Sequence, residues 1–99
     1  MPRFEPNPDK ARINLRKHRI SFKDAETIWQ GPVLTELDNN PAHDDIRFNT
    51  LGMLPNTTKV LHVTHNEDDE VIRLISARLA TPKERQIYYE HFGYNPSIR

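Results

Sequence analysis

The stretch IRLISARLATPKERQIYYE, residues 72–90, decides how this chain folds. Its first half, rich in Ile and Leu, is read as a β-strand carrying Arg73 and Arg78. Side chains alternate faces along an ideal strand, so five residues of separation send these arginines to opposite faces. Thr81-Pro82-Lys83-Glu84 then reads as a helix start, with a capping box and proline in the first helical position. A strand, a tight cap and a basic helix place Arg78, Lys83, Glu84, Arg85 and Tyr88 around one corner. Guanidinium groups make permanent, bidentate contacts to phosphate, so the corner suits an anionic ligand. A capped strand-to-helix joint is also an ordinary structural device.

Upstream of this corner, the chain reads as three further strands over residues 32–37, 45–53 and 59–65, with the strand of the corner itself at 70–78. The links Leu54–Thr58 and Asn66–Asp69 are short enough for hairpins, which predicts an antiparallel meander. Further upstream, Phe4–Pro8 is an extended lead-in, and Asn7-Pro8 caps a helix over residues 8–18 with Ala11 and Leu15 inward. Ser21 to Asp24 starts a second helix whose stripe is Phe22, Ala25, Ile28 and Trp29, stopped by Gly31-Pro32. Trp29 is read as a core anchor. A helix over 81–92 follows the last strand, and residues 93–99 read as a frayed tail. The expectation is one α+β domain spanning 1–99. It has two N-terminal helices, a four-stranded antiparallel meander sheet and a C-terminal helix, with the helices on one face.

With 99 residues and 35% hydrophobic side chains, the chain supports a single modest core. It has no cysteine, which removes disulfide and thiolate chemistry and is compatible with a cytoplasmic location. No run approaches the ~20 apolar residues of a membrane span, and the N-terminus lacks a signal peptide's apolar segment. Net charge is zero, but it is segregated: residues 1–23 carry seven Lys/Arg and two Asp/Glu, a balance of +5. Residues 24–70 carry two basic and ten acidic side chains, −8, and residues 71–99 five and two, +3. Two basic termini around an acidic middle can present one basic face, and the local field steers ligands more than the net charge does.

The chemistry is constrained by what is missing. The five histidines, at 18, 43, 62, 65 and 91, contain no metal-binding helix pair, and His62 and His65 point to opposite faces of a strand. Neither a glycine-rich phosphate loop nor a nucleophile elbow is present, and no cofactor is expected. Arg, Lys, His, Glu and Tyr remain, which is the set a metal-independent ribonuclease needs. RNA supplies its own 2′-hydroxyl nucleophile. The protein must deprotonate it, protonate the leaving 5′-oxygen and stabilise the phosphorane. His18 is a candidate acid or base, although a helix C-terminus favours His by itself. Glu84 is another, although the capping box already accounts for it. Lys17, Arg47, Arg73 and Arg78 are candidate phosphate-oxygen ligands, and Arg47 and Arg73 also suit plain ion pairs.

These residues resemble the BrnT toxins of bacterial type II toxin–antitoxin systems, which are RelE-like ribonucleases. The likeness rests on Asp9-Lys10-Ala11, Asn14-Leu15, Lys17-His18, Ser21-Phe22 and Ala25. It continues through Arg47-Phe48, Leu51-Gly52, Ile72-Arg73, Ile75-Ser76-Ala77-Arg78, Ala80-Thr81, Glu84-Arg85 and Tyr88. The resemblance implies a translation-inhibiting endoribonuclease. Its catalytic set would be Lys17, His18, Arg47, Arg73, Arg78, Glu84 and Tyr88, with Lys10, Arg16, Lys83 and Arg85 holding RNA phosphates. It also implies a BrnA-like ribbon-helix-helix antitoxin, in a two-plus-two complex that binds operator DNA and represses its own operon. The alternative is a non-catalytic adaptor that binds a partner and has lost cleavage. The chain departs from the family pattern in three places. Arg19 replaces the usual glycine after Lys-His, Ile46 replaces the Glu before Arg-Phe, and Glu5-Pro6 replaces Trp-Asp.

Overall fold

The computed structural model describes residues 2–93. In chain order the elements are β1 (Arg3–Phe4), α1 (Pro8–His18), α2 (Phe22–Glu26) and a 3₁₀ turn (Thr27–Gln30). β2 (Val33–Leu37), β3 (Phe48–Met53), β4 (Val60–Asp68), β5 (Val71–Leu79) and α3 (Pro82–Phe92) follow. The sheet has five strands in the order β1-β5-β4-β3-β2, and β1 runs parallel to β5. The α+β class is as expected, but the four-stranded antiparallel meander becomes a mixed sheet. The lead-in supplies the extra strand through Arg3–Val71 and Phe4–Ile72 pairing. The second N-terminal helix is only five residues long before it tightens into the 3₁₀ turn. The tail expected to fray lies, from residue 94 onward, outside the described residues.

The caps explain the helix boundaries. Asn7 Oδ1 accepts the Lys10 N–H at 3.1 Å, Ser21 Oγ accepts the Asp24 N–H at 3.0 Å, and Thr81 with Glu84 forms the full reciprocal capping box. α1 ends on Arg19 at φ 61°, a left-handed position where most L-residues are strained. Leu15, expected to point inward, is 50% exposed, and the buried residue of α1 is Asn14. Polar matching explains the difference. Beyond Ile72, β5 has lost β1 as a neighbour, and Ala77 would leave its N–H and C=O unpaired in a buried place. Asn14 fills the gap: its Oδ1 accepts the Ala77 N–H at 2.9 Å, and its Nδ2 donates to the Ala77 and Ile20 carbonyls at 2.9 and 3.0 Å. One side chain substitutes for a strand.

The hairpin between β4 and β5 is tighter than the sequence suggested. Asp68 pairs with Val71, so the turn is Asp69-Glu70, both at positive φ, the geometry of a type I′ turn. Pairing then runs Asn66–Arg73 and His65–Leu74, slips, and resumes at Thr64–Ser76 and His62–Arg78. Ile75 is the extra residue of a β-bulge. The bulge reverses the facing of everything beyond it. Arg73 and Arg78 now pair with Asn66 and His62, which are four residues apart and therefore share a face. Only an unbroken strand would set Arg73 and Arg78 on opposite faces, as expected from simple alternation, and the bulge breaks it.

The helices cover both faces, not one. Phe22, Ala25 and Ile28 from α2 and its 3₁₀ extension pack on Leu61, Val63, Ile72, Leu74 and Ala77. Trp29 joins this core, edge-on to Phe4 at 5.4 Å and to His65 at 5.2 Å, which is the anchoring role expected of it. β3 carries Gly52 where Ile28 crosses it, since a Cβ there would stand 2.8 Å from the Ile28 Cβ. On the opposite face α3 lays Tyr88 over Leu51 and Val60. α3 covers only part of that face, and the uncovered part is where polar side chains collect. No helix among the described residues is long and apolar enough to cross a membrane.

Candidate functional site

Between the first turns of α3 and strands β2 to β4 lies an open groove of about 280 Å³, lined by Leu34, Glu36, Asn49, Leu51, His62, Glu84 and Ile87. The end of β5 delivers Arg78 to its rim, and the capping box delivers Glu84. The two make a bidentate ion pair, with Arg78 Nη1 at 2.8 Å from Glu84 Oε1 and Nη2 at 3.1 Å from Oε2. Arg78 Nη1 also donates to the Leu79 carbonyl at 3.2 Å. Among the described residues its Nε–H and second Nη2 proton have no partner and can meet an incoming anion. The Arg78 hydrogen bonds, with help from the Thr81 N–H, hold the Glu84 carboxyl at a pKa of about 2. Such a carboxylate is a weak base.

His62 stands opposite Arg78 on β4, with Nε2 3.8 Å from Glu84 Oε2 and its side chain 16% exposed. Burial, reinforced by the Arg78 charge, lowers its pKa below the ordinary histidine value. His62 was not among the site residues read from the sequence. The signal was its partner across the hairpin, which is visible only once the two-residue turn and the bulge are known. His65, three residues on, is wholly buried in the other face, as the alternation within β4 requires.

A second polar cluster sits toward the other end of the same face. Arg73 binds Glu5, Nη2 to Oε1 at 2.9 Å, across the short β1–β5 ladder. Its strand partner Asn66 donates to Asp45 Oδ2 at 3.1 Å and the Ile46 carbonyl at 2.8 Å, while Asp45 Oδ1 takes Arg47 Nε at 2.9 Å. These bonds explain why β3 begins at Phe48 and not at Asp45. Thr64 donates to Asn49 at 2.8 Å between the two clusters. Arg73 and Arg78 are thus about 15 Å apart along one face.

The remaining expected residues lie elsewhere. Tyr88 is 3% exposed and its hydroxyl donates to the Pro32 carbonyl at 2.8 Å, so it packs α3 against the sheet and does not line the groove. Lys83 and Arg85 are exposed on the first turn of α3. Lys10, Arg16 and Lys17 are exposed on α1, and His18 is half-buried at its end. Among the described residues, neither Lys17 nor His18 forms a hydrogen bond or ion pair with the Arg78–Glu84 cluster. The docking of Asn14 on Ala77 and the β1–β5 ladder do set the two basic terminal segments side by side. Among the described residues no three His, Asp or Glu side chains stand close enough to hold a metal ion.

The described residues form a small α+β domain of three helices and a five-stranded mixed sheet, with an arginine-bearing polar face on that sheet. The family model for the BrnT ribonuclease toxin of type II toxin–antitoxin systems matches residues 7–84, and the chain belongs to that family. The crystal structure of the Brucella abortus ribonuclease toxin BrnT is similar, at a TM-score of 0.57 and 19% identity over 82% of this chain and 99% of that one. At that identity the likeness concerns the fold. No curated relative matches the chain.

Proposed function

We propose that this chain is a toxin that cuts RNA in the cytoplasm without a metal, and so stops translation. The observation that carries the reading is the bulge at Ile75, which turns Arg73 and Arg78 onto one face beside a groove. An RNA strand lying along that face meets a guanidinium at each end. The scissile phosphate lies at Arg78, whose free N–H donors take its oxygens as negative charge builds on the phosphorane. The 2′-hydroxyl attacks phosphorus, the bond to the 5′-oxygen breaks, and a 2′,3′-cyclic phosphate is left. Arg73 and Arg47 hold flanking phosphates, and Lys10, Arg16, Lys17, His18, Lys83 and Arg85 supply the surrounding positive field. The test is purified chain, freed of antitoxin, incubated with RNA in excess EDTA. Cleavage with cyclic-phosphate ends is expected. Inactivity in EDTA that a divalent ion relieves, or 3′-hydroxyl ends, would sink the metal-free mechanism.

The basic face must be covered in the cell that makes it. The cover is a BrnA-like antitoxin whose acidic or mixed segment folds across α1 and the Thr81 corner. Its ribbon-helix-helix domain would dimerise, giving a two-plus-two complex that binds operator DNA and represses the operon. Light scattering should find the isolated chain monomeric, and a stable toxin dimer would refute this arrangement.

A second reading has its own support. Arg78 and Arg73 are both neutralised within the chain, by Glu84 and Glu5, as expected of an adaptor that binds a partner but no longer cuts. Expression separates the two readings, since a chain that binds its antitoxin yet leaves growth unharmed is the adaptor.

A further inference from the structure

We infer that His62 is the group that takes the proton from the attacking 2′-hydroxyl, with Glu84 positioned to stabilise the imidazolium that forms. The inference rests on the ribonuclease reading and names the base it requires.

The geometry singles out His62. It lines the groove, it is the cross-strand neighbour of Arg78, and its Nε2 faces Glu84 Oε2 at 3.8 Å. A phosphate oxygen taken by Arg78 brings the adjacent ribose over this imidazole. Glu84 is a poor base, because the Arg78 and Thr81 N–H hydrogen bonds stabilise its charged form and hold its carboxyl pKa at about 2. His18 lies at the end of another element. The charged groups around His62 are Arg78 on β5, Glu84 on α3, Glu36 on β2 and Asp38 just beyond β2. At rest the ring is neutral, because burial and Arg78 disfavour its cation, and a neutral ring keeps a lone pair for the proton.

In the reaction, the proton on O2′ passes to Nε2 as the O2′–P bond forms and the P–O5′ bond breaks. The leaving 5′-oxygen takes a proton from water. The new Nε2–H then points at Glu84 Oε2, so the carboxylate fixed by Arg78 also holds the imidazolium. The carboxylate thus faces the nitrogen that takes the proton and stabilises its charge directly, unlike a catalytic triad, where it binds the opposite ring nitrogen.

Single-turnover RNA cleavage over a pH range tests it. The wild-type rate should rise with pH through an inflection below the ordinary histidine value of about 6.5 and then level off. His62→Gln should cut the rate by roughly 100-fold or more and replace the inflection with a rise of about tenfold per pH unit. His62→Ala should behave alike and recover part of its rate when free imidazole is added. A wild-type profile with no such inflection overturns the inference without reference to any variant. So does a folded His62→Gln chain of unchanged rate and profile, and in that case the ribonuclease reading stands. A wild-type chain that cuts no RNA overturns both.

Discussion

Arg78 makes three hydrogen bonds from one guanidinium: two tie the end of β5 to Glu84 at the start of α3, and the third closes on the Leu79 carbonyl within β5. The same side chain is therefore both a joint and the proposed anion ligand, and substitution separates these roles. Arg78→Ala should cost about 3 kcal/mol of transition-state stabilisation, as expected for losing a preorganised donor. Glu84 keeps its cap bond to Thr81 and is 24% exposed, so it can be solvated once Arg78 is gone. Growth inhibition should vanish while the thermal midpoint moves by only a few degrees. If the variant unfolds, Arg78 is structural and the site reading loses its centre. Arg78→Lys keeps the charge but not the fork, and should recover little activity. The Arg78–Glu84 neighbourhood was legible in the sequence because a capping box and the strand before it fix local geometry over a few residues. His62 was not legible, because its place beside them depends on pairing across a hairpin.

At the scale of elements, two departures from ideal geometry shape the site. The bulge in β5 lets a strand of odd spacing put both arginines on one face, and no local propensity in Leu74-Ile75-Ser76 announces it. The other is Asn14. The helix around it was readable from Asn7-Pro8, yet its inward face was not, because the demand comes from Ala77, 63 residues away. Sequence periodicity favours Leu15 on apolar grounds, and the need to pair a buried backbone overrides it. Asn14→Leu should therefore destabilise the chain by about 3 kcal/mol, since it strands a buried N–H and a buried C=O despite adding apolar bulk. Asn14→Asp should be as damaging, because a carboxylate can accept from the Ala77 N–H but repels the Ala77 and Ile20 carbonyls. Urea unfolding would measure both. A neutral Asn14→Leu would show that α1 is held by its apolar contacts alone.

For the molecule as a whole, pH gives the sharpest prediction. His65 is 0% exposed, its Nε2 lies 2.7 Å from the Thr50 hydroxyl, and that hydroxyl lies 2.7 Å from the Thr35 hydroxyl. Among the described residues its Nδ1 has no hydrogen-bond partner, with Glu67 Oε1 3.6 Å away. A neutral ring with its proton on Nε2 leaves Nδ1 a bare acceptor, which is cheaper to bury unpaired than a charged N–H. Burial accordingly pushes the His65 pKa down to about 4 from 6.5. With the folded value below the unfolded one, the unfolded chain binds the extra proton. The stability contributed by the neutral ring is whole above pH 6.5 and drains away as the pH falls toward 4. The full loss is about 3 kcal/mol, or some 1.4 kcal/mol per pH unit inside that window. Glu84 acts lower: its depressed carboxyl adds stability above its ordinary value of 4.5, lost as the pH drops toward about 2. Acid unfolding should therefore begin while the carboxylates are still charged. The His62 pKa is lowered too and shares the window, so the decisive quantity is a difference between chains. His65→Gln can keep a hydrogen bond to Thr50 but cannot titrate, and its urea midpoint should fall less steeply than the wild type's between pH 6.5 and 4.5. Parallel slopes would mean that the His65 ring is protonated in the fold without penalty, with Glu67 swung inward to pair it.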